Sequence, residues 1–164
     1  MANASFSQIV QNLQSDIITI LNTDTTTTTF TYSDSTTATR SLSNFKIVDG
    51  MPSDLLKGTG FPYIIVHTPT ERTSKKTLSA KYQSMLEIQI EVYDRREGNV
   101  RILIDMVRDA IKRGISTWMD RGMFFLPMGT EIRSTISVSM LPSEPAGKPV
   151  WFASLFVPFK WSGS

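Results

Sequence analysis

Between residues 84 and 113 the chain reads SMLEIQIEVYDRREGNVRILIDMVRDAIKR, and its apolar period changes halfway along. Leu86, Ile88, Ile90 and Val92 alternate with Glu87, Gln89 and Glu91, the two-residue period of a strand with one buried face. Val100, Leu103, Ile104, Val107 and Ile111 then recur every third or fourth residue, the stripe of a helix over 99–113. Each element has one apolar face to hide, so the helix must stack on the sheet that its strand joins. Asp94 with Glu97 makes a capping box, with Asn99 as a competing cap, and Gly114 ends or interrupts the helix. Arg101 with Asp105, and Asp109 with Arg113, are spaced four apart as on a solvated helix face.

The rest of the chain supplies partners for that unit. Phe6, Ile9, Val10, Leu13, Ile17, Ile20 and Leu21 predict a second one-sided helix over 4–22. Residues 24–40 hold nine threonines, which suit strands better than helix interiors, and Ser33-Asp34-Ser35 marks a turn. A polar Thr-rich hairpin or arm over 23–40 follows, with Phe30 and Tyr32 as its few large apolar groups. So little apolar surface cannot offset the entropy of ordering the segment, which is expected to be mobile or held by a neighbour. Residues 41–60 read as a connector, 61–66 as a short buried strand, and 70–81 as a loop or hairpin tip. Ile132, Ile136, Val138 and Met140 alternate with polar residues, and 150–161 is apolar on both faces.

Strands therefore cluster on both sides of a central helix. The expected fold is one α+β domain over 1–164: an antiparallel or mixed β-sheet with two helices packed on one face, plus the threonine hairpin. With 164 residues the chain is long enough for a core without staples, and it has no cysteine to form one. No run reaches the length of a membrane span, and the amino-terminal stretch lacks the basic start of a signal peptide. A protein kept in the cytoplasm or in an assembly is expected.

Chemistry is hard to find. His67 is the sole histidine, with no Gly-x-Ser-x-Gly elbow to build a triad on. No cysteine or second histidine exists to hold zinc, no spacing resembles a calcium loop, and no phosphate-binding glycine motif occurs, so no cofactor or metal is expected. The charge is +2, from 17 basic and 15 acidic residues, close to balance for a nucleic-acid binder. The basic residues do gather: Arg72, Lys75, Lys76 and Lys81 lie together against Glu71. Tyr82 and Tyr93 are the nearby aromatics, too few for base stacking, and Glu87 and Glu91 on the adjoining strand would repel phosphates. A hydrolase using His67 and a small nucleic-acid-binding module are the rival readings.

The order of elements is more informative. A helix, a glycine-rich approach to FPYIIV, and the strand LEIQIEVYDRREGN leading straight into VRILIDMVRDAIKR resemble the tail terminator (tail completion) and neck proteins of long-tailed bacteriophages over residues 50–140. That resemblance implies a structural virion protein, assembled in the host cytoplasm. It would form a homo-oligomeric, hexameric ring that caps the tail tube protein and meets a neck or head-closure protein, while DNA passes through without sequence recognition. Another head-closure or minor tail protein has a similar order. Arg72, Lys75, Lys76, Lys81, Phe30 and Tyr32 are the residues expected at subunit or tail contacts. Phe124, Phe125, Trp151, Phe152, Phe156, Phe159 and Trp161 exceed what one small sheet needs and are expected partly at interfaces.

Overall fold

The structure is a computed structural model that describes residues 6–31, 35–49, 62–76, 82–114, 126–127, 133–141 and 150–163, with side chains at 11–31, 35–49, 62–71, 86–114 and 150–159. Helix α1 spans Phe6–Thr23 and buries Leu13, Ile17 and Leu21, one residue per turn along the predicted face. Strands β1 (Thr27–Thr31) and β2 (Thr37–Ser41) form an antiparallel hairpin in register Thr27↔Ser41 to Thr31↔Thr37. Ser35 takes φ 66 in the turn, left-handed backbone that short polar residues tolerate. The hairpin is held by its own chain. Phe30 is 1% exposed, its ring edge-on to Phe45 with centroids 5.0 Å apart. The expectation that Phe30 faces a neighbour is thus overturned: an aromatic among threonines becomes core because it finds Phe45 within the chain.

A 3-10 turn, Leu42–Asn44, leads to β3 (Lys46–Val48), so the expected connector contains a strand. It runs parallel to β4 (Tyr63–Val66). Next come β5 (Thr70–Lys76) and β6 (Tyr82–Asp94), then helix α2 (Glu97–Gly114). Strands β7 (Leu126–Pro127), β8 (Arg133–Leu141) and β9 (Val150–Gly163) complete a mixed sheet ordered β3-β4-β6-β9-β7, with β5 on β6 and β8 on β9. The fold is α+β, as the two periods require.

Register explains the sheet's shape. Tyr63 pairs with Tyr93, Val66 with Ile90 and Thr70 with Glu87, and between them the His67 N–H donates to the Gln89 carbonyl at 2.9 Å. Strands β4 and β5 therefore follow one another along the same edge of β6, separated by His67, Thr68 and Pro69. Residues 70–76, expected as a tip, are strand. On its other edge β6 pairs with β9 from Tyr82↔Gly163 to Asp94↔Trp151. In β8 the register shifts between Thr135 and Ser139, breaking the simple alternation read from its sequence.

Both helices share the inward face of the sheet with Ile64, Val66, Leu86, Ile88, Ile90, Val92, Ala153, Leu155, Val157 and Phe159. The predicted stripe of α2 is buried as expected, each such aliphatic side chain contributing about 1.5–3 kcal/mol relative to exposure. Strand β9 is less symmetric than its sequence: Leu155, Val157 and Phe159 are buried, but Ser154, Phe156 and Pro158 on the far face are half-buried. Among the aromatics, Phe159 is core, Trp151 packs at the core margin and Phe152 stacks on Tyr93 at 5.7 Å. Phe124, Phe125 and the side chain of Trp161 lie outside the described residues.

Candidate functional site

The basic residues singled out by sequence fall on one hairpin. At its outer rungs Lys75 pairs with Gln83 and Lys76 with Tyr82, and Arg72 sits at the bulge where the register shifts between Glu71 and Thr73. From Thr70↔Glu87 to Lys76↔Tyr82 the hairpin runs about 17 Å. Among the described residues β5 pairs only with β6, and charges and bulges are what sheet edges carry to discourage indiscriminate pairing. Lys81 and Tyr32 lie outside the described residues, and Phe30 belongs to the core rather than to this arm.

A second cluster lies on the sheet face opposite the helices. Alternation sends Glu87, Gln89, Glu91 and Tyr93 to that face, and pairing of β6 with β4 brings His67 beside them. Glu91 Oε2 accepts from the Tyr93 hydroxyl at 2.7 Å and lies 3.0 Å from His67 Nε2; Oε1 accepts from Gln89 Nε2 at 2.8 Å. Its side chain is 13% exposed, not the solvated group that sequence suggested. Burial above all, then the hydrogen bond to Glu91 and its negative charge, pushes the Tyr93 phenol well above its ordinary value, so it donates and stays neutral. An open groove of about 320 Å³ adjoins, lined by His67, Thr68, Thr70, Glu87, Gln89 and Phe156. Within that lining Thr70 Oγ1 donates to the Glu87 carbonyl at 3.4 Å. With three groups converging on it, Glu91 is a structural hub, and among the described residues no set of three or more His, Asp or Glu is placed to hold a metal. No sequence pattern marked this cluster, because His67 and Glu91 meet only through strand pairing.

A third feature is the groove between β1 and α2, about 290 Å³, lined by Thr26, Thr27, Thr28, Ile102, Asp105, Met106, Asp109 and Arg113. Arg113 clamps Asp24 through Nε at 3.2 Å and a terminal nitrogen at 2.7 Å. Arg108 reaches Asp105 at 2.9 Å and Asp109 at 3.6 Å, while Arg101 pairs with Glu97 at 2.7 Å. The partners are not the pairs expected: Arg101 takes Glu97, also four residues away, and Arg113 takes Asp24, just ahead of β1 and only 8% exposed. The capping box is absent too. Asp94 Oδ1 takes the Arg95 N–H at 2.6 Å, and Asn99 lies inside the helix. Burial pushes the Asp94 carboxyl above its ordinary value, opposed by its hydrogen bonds with Asn99 and Arg95 and by the charges of Arg96 and Arg95.

No protein-family model and no curated protein matches the chain.

Proposed function

We propose that this chain is a structural virion subunit, a tail terminator of a long-tailed bacteriophage that closes as a hexameric ring on the tail tube and joins it to the neck. The observation that carries the reading is the β5/β6 hairpin, whose outer rungs bear Lys75 and Lys76 along a strand edge with no partner among the described residues. Such an edge resists pairing with arbitrary strands but accepts one of complementary charge, and a closed ring gives every copy the same neighbour without growing into fibres. The helix-backed sheet, with β6 leading directly into α2, keeps the element order on which the resemblance to tail terminators rests. The reading assigns no reaction to His67, whose carboxylate partner is already engaged by Gln89 and Tyr93. Tail-tube protein and a neck protein are the partners, and DNA traverses the ring without being read.

Reconstruction of the head-proximal end of a tail containing this chain tests it. A hexameric ring of these subunits around the axis is the expected result. Finding the chain elsewhere in the particle, or as a monomer whose turnover of a small molecule is lost on His67→Ala, overturns the proposal.

A further inference from the structure

The outer edge of β1 is unfinished. The Asn99 carboxamide takes the Thr31 N–H on Oδ1 at 3.4 Å and donates from Nδ2 to the Thr31 carbonyl at 2.9 Å, so both polar groups of Thr31 point away from β2. In an antiparallel pair such outward rungs recur at every second residue. The N–H and C=O of Thr29 and Thr27 therefore lie along the same edge, where they have no partner among the described residues. Asn99 fills one rung of that edge, and among the described residues the next two have no partner.

The groove beside that edge has a definite chemistry. Its floor is Ile102 and Met106, half-buried at the core margin. Asp105, Asp109 and Arg113 stand around it, and with their ion-pair partners Arg108 and Asp24 the cluster holds three carboxylates to two guanidiniums. Asp109 is left over, 52% exposed with its nearest cation, Arg108 Nε, at 3.6 Å. That Nε is itself buried without a hydrogen-bond partner. The site thus suits an extended strand that supplies backbone partners for Thr27 and Thr29, aliphatic stems for the floor and a positive charge for the rim.

We infer that this groove receives the outer edge of β5 from a second copy of the chain. Strand β5 is extended, has no described partner beyond β6, and carries Arg72, Lys75 and Lys76 against the single acid Glu71. Arm and groove are different surfaces, so the contact is heterologous and propagates around a ring. The inference rests on the proposed ring and names the surfaces that close it.

Charge exchange tests it. Lys75→Glu with Lys76→Glu makes the arm acidic, and Asp105→Lys with Asp109→Lys makes the groove basic. Each double variant alone is expected to lose about tenfold or more in self-association by sedimentation. An equimolar mixture is expected to recover it, because each variant's arm then meets the other's groove in alternating order. Recovery in the mixture also shows that both variants fold. Loss in each without recovery overturns the inference, as does undiminished association of either variant; in both cases an associating wild type leaves the ring intact as a reading. A wild type that associates neither in solution nor on tail ends overturns both.

Discussion

Asn99 holds Thr31 across 68 residues of sequence as a strand would, one carboxamide meeting both the N–H and the C=O of one residue. The amide is 4% exposed, so each bond it makes is shielded from water. Asn99→Ala is expected to cost about 1–3 kcal/mol, because Thr31 loses both partners near a buried site. Hydrogen exchange should accelerate across Thr27–Ser41 and stay unchanged in β6. Uniform acceleration throughout would show that Asn99 serves the whole core and not the hairpin.

Leu103 and Ile104 lie at the centre of the α2 stripe, with exposures of 0% and 1%. Replacing either by alanine is expected to cost about 2–5 kcal/mol, from lost burial and the cavity left behind. Denaturant midpoints read this directly. A change under about half a kcal/mol at both would place the helix on another face.

Gly114 ends α2 where α1 crosses it. An added Cβ would stand 2.7 Å from Ile20 Cγ2 and 3.0 Å from Cγ1, atoms of a stiff β-branched side chain. Helix propensity alone would make Gly114→Ala stabilising by about 1 kcal/mol. Overpacking reverses the sign, to a net loss of up to about 2 kcal/mol. In an Ile20→Ala background the same change should become neutral or favourable, and a double-mutant cycle measures the difference.

Tyr93 gives the protein an alkaline limb. Its folded phenol titrates above the ordinary value of 10.0, whereas in the unfolded chain it ionises near that value. Above pH ~10 the unfolded state binds fewer protons than the folded one, so stability falls as pH rises, by at most about 1.4 kcal/mol per pH unit for this group. Below pH ~9 the group adds no slope. Tyr93→Phe should flatten that part of the difference curve, while costing about 1 kcal/mol at neutral pH through the donor lost to Glu91. Parallel wild-type and variant curves above pH ~10 would refute the assignment.

Sequence alone determined the elements whose period is set by one buried face. The alternation at 86–92, the stripe from Val100 to Ile111 and the helix through Leu13, Ile17 and Leu21 all reappear in the core. Their periods are local consequences of backbone geometry, and so is the inference that helices cover a sheet. Tertiary structure alone decided which side chains meet. Phe30 looked like a contact residue until Phe45 was found beneath it, and Glu91 looked solvated until β4 brought His67 across. Asn99 looked like a cap, yet it pairs with Thr31; Arg113 looked like the mate of Asp109, yet it clamps Asp24. The physical reason is common to all four. Strand register and helix crossing bring together residues 15 to 89 positions apart, and no local period encodes a partner at that distance.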